Sequence, residues 1–548
     1  MSSREPLIFG QPMSVRAFTG DDHQQERNLV RSGERWSSPG VEITLHDSAD
    51  RIDVLVSSPA EPLQRIHIRW PLRFSPEVKI LGDAWERSYG ELEWLPIQPE
   101  RILPWYCLVA SGSTTRGFGV MAGADSLAFW QVDREGISLW LDTRNGGNGV
   151  SLGERQLHAA SIVTITTRAP VSTFETARQL CRRMAGSIAV PGERGGMNVR
   201  TMIGTNDWYY AYGKNKPENI LRDAEFAREL APSAVRPFTV IDDGYQDHRT
   251  FPDMAALAQQ IGKVGTVPGL WIRPLRAPET TAKNLLLPTE RWGWRVNRQS
   301  TLAYDPTIPE ANAAALAVVS EATGWGYRLL KHDFTTFEML GMWGNEMGPS
   351  PTTGHWHFHD RTRTNAEIIT GFYKDLRRTA GNDTVIQGCN TIGHLSVGLF
   401  DTSRIGDDVS GREWERTRRC GVNTLPFRLP QLGAFFCVDP DIVPITEQVP
   451  WSFTRQWLHL VASTGTTLLI SATQSALGVE QKAAVREAFA LCTERGTASG
   501  SESVPLDWME TAAPTRWSGE TQPYHWDDPQ GATPFEASAQ PGSMMVVA

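Results

Sequence analysis

The chain has 548 residues, 40% of them hydrophobic, and a formal net charge of −9, which allows roughly two to four domains with large cores and, with no basic run, excludes a nucleic-acid partner. No stretch reaches the roughly 18 apolar residues of a membrane span. Six cysteines, at 107, 181, 389, 420, 437 and 492, show no CxxC spacing, so reduced and mostly buried thiols are expected, not a disulfide framework or a zinc site.

The first residues, MSSREPLIFGQP, lack a basic segment followed by an apolar one, so no secretory leader is expected and the chain reads as cytoplasmic. Over 1–180 the short runs VEITLHDSADRIDVLVSS, QRIHIRWPL, RGFGVMAG and ISLWLDTR alternate with period two or carry β-branched residues. Broken by Gly, Pro, Asp and Ser, they predict an N-terminal antiparallel β-sandwich. VSTFETARQLCRRMAG predicts a helix capped by Ser172, with Glu175 three residues on. VPGERGGMN marks a boundary, with a linker expected at 181–196.

Beyond it the texture changes. Short apolar strands alternate with amphipathic helices, from MIGT and PENILRDAEFARELA through FTVIDDG, GLWIRPL, YRLLKHDF, TVIQGCN, SRIGDD and AFFCVDPD to TLLISAT. These predict a central (β/α)8 TIM barrel over 197–480. A doubly wound sheet is the alternative, but no GxGxxG follows the first strand. EQKAAVREAFALC then predicts a helix leading into VPLDWMETAAPTRWSG, TQPYHWDD and GSMMVVA, expected strands of a small C-terminal β-domain within 481–548. The 20 tryptophans suit either a Trp-rich core, which composition favours, or stacking on the C–H faces of pyranose rings.

In a barrel the C-terminal strand ends carry the chemistry. In order they present Asp242 and Asp243, Trp271 and Arg273, Lys331 and Asp333, Cys389 and Asn390, Arg404 with Asp407 and Asp408, and Asp439 with Asp441. Any one aspartate there could be a helix cap; the set is harder to explain so. Two readings remain open: a divalent cation site, or a carboxyl pair flanking a glycosidic bond. Lys331, two residues before Asp333 on a strand, faces the same side, and an ammonium there favours the ionised carboxylate that a nucleophile requires.

These motifs resemble glycoside hydrolase family 36, the α-galactosidases or melibiases, and more distantly family 27. VIDDGYQ is similar to the second-strand motif, PGLWIRPL to the third, and RLLKHDF to the K-x-D-F strand of the nucleophile. VIQGCN is similar to the GCG-type fifth strand, SRIGDD to the acid/base strand and FFCVDPD to the NDPD-type seventh, so the resemblance covers about residues 197–475. It implies a retaining, exo-acting α-glycosidase with Asp333 as nucleophile and Asp408 as acid/base, four residues after Arg404; Asp407 is the nearest competitor. It further implies that Asp242, Asp243, Lys331 and Arg404 hold sugar hydroxyls, and that Trp208, Trp271 and Cys389 line the pocket. Asp439 and Asp441 would brace the rim by hydrogen bonds. No cofactor or metal is implied, the partner is an oligosaccharide or glycoside, and homo-oligomerisation is left open.

Some positions depart from that pattern. Arg273 could pair with Asp243 or meet a substrate anion, and His332, between Lys331 and Asp333, should face away from the pocket. The loop MLGMWGNEMGPSPTTGHWHFHDRTRTNAE carries His355, His357 and His359 at period two; a metal site is one reading, and a pocket wall with Trp343 and Trp356 stacking on sugar is the favoured one. α-Galactosidase is the default activity. The alternatives are another α-linked sugar, a transglycosidase of the raffinose-synthase type, and a carbohydrate-binding protein without turnover.

Overall fold

The computed structural model describes residues 9–48, 50–188, 192–200, 202–295, 301–497 and 502–527. The N-terminal runs form two antiparallel sheets. One has six strands in the order Gln25–Asn28, Ser14–Thr19, Leu63–Pro71, Gly136–Asp142, Leu127–Val132 and Leu103–Pro104. The other has eight, from Val30–Ser32 through Leu157–Arg168 to Thr114–Val120, Tyr106–Ser111 and Lys79–Gly82. Strand alternation turns Phe118 of the second sheet toward Trp130 of the first, with ring centroids 6.0 Å apart, and both are fully buried. The helix Thr173–Ala185 follows, capped as expected by Ser172, whose hydroxyl accepts from Glu175 N at 3.1 Å.

The alternating half builds a parallel barrel. Its strands are β1 (Ile203–Asn206), β2 (Phe238–Ile241), β3 (Val267–Ile272), β4 (Leu329–His332), β5 (Val385–Gly388), β6 (Thr402–Arg404), β7 (Cys437–Asp439), β8 (Val443–Ile445) and β9 (Leu468–Ala472). Neighbours pair in sequence from β1 to β7, β9 pairs with β1, and β8 pairs with β9. β7 and β8 are two halves of the seventh strand, broken at Asp441, whose φ of 77° turns the chain. One half bonds the sixth position and the other the last, and Thr467 N donates to Val438 O at 3.0 Å, so the sheet closes and the doubly wound alternative is set aside. Helices Pro217–Leu230, Met254–Val264, Pro309–Gly324, Asn365–Ala380, Trp451–Thr464 and Val479–Thr497 flank the barrel. Proline in the first turn of two of them and a Thr364–Glu367 capping box on a third fix where they begin.

Where strands of a C-terminal β-domain were expected, residues 502–527 form turns and one bridge, Pro505 with Trp517. Their aromatic residues act as anchors. Trp508 meets Trp94 of the sandwich edge-on at 5.4 Å, and Trp526 stacks on Trp414 at 6.3 Å. GSMMVVA lies outside the described residues. Among the described residues no helix is long and apolar enough to cross a membrane.

Candidate active site

At the C-terminal ends of the barrel strands lies a cavity of about 460 Å³ lined in part by Trp208, Asp242, Asp243, Trp271, Arg273, Lys331, Asp333, Trp343, Asp407 and Asp408. Asp333 follows β4 directly. Its Oδ2 accepts from Trp271 Nε1 at 3.0 Å, and its Oδ1 from Phe334 N at 2.8 Å and Asn390 N at 3.1 Å. Phe334 has a φ of 65°, a costly conformation for a residue with a side chain, held here in the turn that presents the carboxylate. Burial by itself would raise the Asp333 carboxyl. The Arg87 guanidinium, the Lys331 ammonium and the Trp271 hydrogen bond outweigh it, and the carboxyl lies below its ordinary value.

Asp408 sits across the cavity, after β6. Arg404 Nη2 donates to its Oδ1 at 3.0 Å and to Asp441 Oδ2 at 2.8 Å, and Arg87 lies 3.4 Å from it. Burial pulls the Asp408 carboxyl up, but Arg404, Arg87, Arg416 and Lys331 together hold it well below the carboxylate range, while 36% of the side chain still faces the cavity. Asp441 moves the opposite way, raised to about 6 by burial and by the charge of Asp408 against the pull of Arg404. It accepts from Val409 N at 2.9 Å and from the Tyr209 hydroxyl, while Asp439 accepts from Asp441 N at 2.9 Å and from Gln387 Nε2. The seventh-strand acids thus tie β1, β5 and β6 together.

Lys331 Nζ donates to Asp242 Oδ2 at 2.7 Å, and Asn206 Nδ2 donates to the same oxygen at 2.8 Å. Period-two alternation puts Lys331 and Asp333 on the cavity side and His332 on the other. His332 is buried among Phe372, Tyr373 and Phe400, bonded to the Thr335 hydroxyl, and burial lowers it to about 3, so it is neutral. Arg273 pairs with Glu338 at 2.7 Å, not with Asp243, and lies 4.0 Å from the centroid of the Phe334 ring.

Of the residues expected to act on or bind the sugar (Asp333, Asp408, Asp242, Asp243, Lys331, Arg404, Trp208, Trp271, Arg273 and Cys389), all but two line one cavity. The exceptions, Arg404 and Cys389, lie just behind it, with Arg404 Nη1 3.6 Å from Cys389 Sγ. The His-rich loop is split. Trp343 lines the cavity, whereas Trp356 is buried against the sandwich, where Gly147 N donates to its carbonyl at 2.9 Å. His355 is exposed 3.8 Å from Asp22, His357 Nδ1 bonds Phe358 O at 2.8 Å, and His359 N donates to Asp305 at 2.8 Å. None of the three lines the cavity, and among the described residues no group of three His, Cys, Asp or Glu side chains is placed to hold a metal. Most tryptophans fill cores, as composition favours; Trp70, Trp105, Trp130, Trp292, Trp457 and Trp517 are among the largest fully buried side chains.

Sequence reasoning missed Glu86, Arg87 and Glu338. Arg87, from the sandwich, bonds Asp407 at 2.8 Å and lines the cavity. Glu86 accepts from Asn390 Nδ2 at 2.5 Å, and Asn390 is the residue that donates to Asp333. The signal for Glu86 and Arg87 was a charged pair set between Trp85 and Tyr89 in GDAWERSYGE, where burial demands partners.

The fold, a TIM barrel with an N-terminal sandwich and an acidic, arginine-braced cavity at its strand ends, is similar to that of solved GH36 α-galactosidases. An α-galactosidase from Thermus thermophilus in complex with p-nitrophenyl α-D-galactopyranoside superposes with a TM-score of 0.58 at 18% identity, over 88% of this chain and 95% of that one. A GH36 α-galactosidase from Geobacillus stearothermophilus in complex with raffinose gives 0.60 at 12% identity, over 91% and 75%. The cycloalternan-degrading enzyme from Trueperella pyogenes with isomaltose gives 0.51 at 12%, over 89% and 81%. No protein-family model matches the chain.

Proposed function

We propose that the protein is a retaining exo-acting α-glycosidase, with α-galactosides as its default substrates. The observation that carries this reading is the pair Asp333 and Asp408 on one cavity, beside the Lys331–Asp242 pair. Asp333 is held anionic by three hydrogen-bond donors and nearby cations, as a nucleophile requires. Its oxygen attacks the anomeric carbon while Asp408 gives a proton to the departing glycosidic oxygen, leaving a glycosyl ester on Asp333. Asp408 then deprotonates water, which attacks the same carbon and frees Asp333, with net retention.

The arginines around Asp408 favour its anion in the empty cavity. Sugar displacing water from its exposed third raises it toward the proton it must carry, because desolvation is already the largest upward pull on this carboxyl. Asp242, Asp243, Lys331 and Arg404 hold hydroxyls in this reading, while Trp208 and Trp271 offer apolar faces to the ring and Cys389 backs the pocket. Arg273, paired with Glu338, shapes the wall. The solved neighbours bound to p-nitrophenyl α-D-galactopyranoside and raffinose support galactose as the sugar. Six free, buried thiols fit a reducing, cytoplasmic location.

The test is a panel of 4-nitrophenyl α- and β-glycosides, run with wild type and Asp333→Ala. Turnover of the α-galactoside by wild type, lost by roughly 10⁴-fold or more in the variant, is the expected result. Turnover of a different α-glycoside keeps the mechanism and changes the sugar. Products extended by an added acceptor sugar identify a transglycosidase, and sugar binding without turnover a binding protein. Full activity in Asp333→Ala overturns the assignment.

A further inference from the structure

The chain between Lys79–Gly82 and Leu103–Pro104 belongs to the sandwich, yet its backbone joins the barrel. Ser88 N donates to Ile405 O at 2.8 Å, and Asp407 N donates to Ser88 O at 2.7 Å, which extends β6 by a parallel bridge. The segment is pinned at both sides. Arg428 Nε donates to Asp83 at 2.6 Å and Trp85 Nε1 to Gly348 O at 3.1 Å. Two consecutive side chains then reach the carboxylates from behind. Glu86, buried, accepts from Gly344 N at 2.8 Å and braces Asn390. Arg87, only 6% exposed, bonds Asp407 and Asp408 and lies 5.6 and 5.7 Å from the ring centroids of Tyr89 and Trp343.

We propose that Arg87 is a positioning residue lent to the barrel by the sandwich, orienting Asp408 through Asp407 and supplying the positive charge that Asp408 and Asp333 share. The proposal rests on the reading of those two carboxylates given above. The charged and titratable groups facing Asp408 are Arg404 and Asp407 beside it, Arg416 from the chain that follows, Lys331 from β4, Asp441 from the seventh strand, Tyr209 after β1, and Asp333. Those facing Asp333 are Lys331, Asp408, Glu338 and Cys389. Lys331 is already bonded to Asp242, and Arg404 to Asp441 as well as Asp408. Arg87 and Lys331 are the cations that act on both carboxylates, and Arg87 is the one that the sandwich supplies. The sandwich, in this account, is part of the catalytic unit.

The experiment measures kcat and KM for Arg87→Met and Arg87→Lys across about pH 4–9 on the α-glycoside that wild type turns over. Loss of the cation raises both carboxyls. The acid limb of kcat/KM, set by ionisation of Asp333 in the free enzyme, and the alkaline limb of kcat, set by protonation of Asp408 once sugar has displaced its water, both move to higher pH by about one unit. At the optimum kcat falls about tenfold or more, with a smaller change in KM. Arg87→Lys keeps the charge and returns both limbs to the wild-type positions, recovering part of kcat. Should Arg87→Met not fold, Arg87→Gln, uncharged but able to bond Asp407, carries the same expectation. Lower activity with both limbs unmoved, or one shared profile for the Lys and Met variants, overturns the proposal. Asp333→Ala distinguishes the failures. If it is inactive while the limbs stay put, only the role of Arg87 falls; if it keeps full activity, the site reading falls and takes this proposal with it.

Discussion

Replacing Arg273 by Met removes the guanidinium bonded at 2.7 Å to Glu338, a carboxylate with 0% side-chain exposure. Its second oxygen has no partner among the described residues. Burial raises the Glu338 carboxyl to about 7 even against the charge and hydrogen bond of Arg273 and the charge of Arg291. Without Arg273 it rises further, and the native variant keeps its proton through neutral pH. The sign follows from proton counting. In the unfolded chain Glu338 is ionised above its ordinary value of about 4.3, so a native state that holds the proton loses stability as pH rises. Wild type stops losing once Glu338 ionises near pH 7, whereas the variant continues, by up to about 1.4 kcal/mol per pH unit. At pH 6 the deficit is about 1–2 kcal/mol, from the lost hydrogen bond and the contact with Phe334. At pH 9 it is about 2–3 kcal/mol larger. Urea unfolding followed by tryptophan fluorescence across this range measures both. An equal deficit at pH 6 and pH 9 would refute the reasoning, as would a slope that persists in the Arg273→Met, Glu338→Gln double variant.

Trp271→Phe takes one of three hydrogen bonds from Asp333 and leaves those from Phe334 N and Asn390 N. The carboxyl, now depressed, moves up, so the acid limb of kcat/KM shifts to higher pH by about one unit while the alkaline limb stays; an unmoved acid limb counts against Asp333 as the ionising group. Gly344→Ala places a Cβ 2.2 Å from Glu86 Cγ, where the sandwich meets the barrel. Thermal unfolding should show a loss of about 1–3 kcal/mol, and kcat should fall with it because Glu86 braces Asn390. An unchanged Tm and kcat would mean that this contact yields freely.

The barrel was legible in the sequence because strand and helix periods are local properties. Runs such as FTVIDDG and YRLLKHDF announce both a buried strand and the charged residues at its end. The same period placed Lys331 and Asp333 together and turned His332 away, as observed. Other local patterns had two physical outcomes. The aromatic spacing of residues 504–526 suits a strand, but each ring found its own slot against the barrel or the sandwich. Three histidines at period two suit a ligand face, but the loop that carries them was drawn onto the sandwich by Asn145, whose Nδ2 donates to Asp360 O at 2.8 Å.

The residues by themselves therefore determined the alternating elements and which side chains stand at the strand ends. Tertiary structure decided which charges meet. Arg87 lies 321 positions from Asp408 and Glu86 304 from Asn390, and no local period relates such residues. They come together because the sandwich edge docks on β6 and buries its charges there, and a buried charge persists only beside partners that the closed barrel supplies.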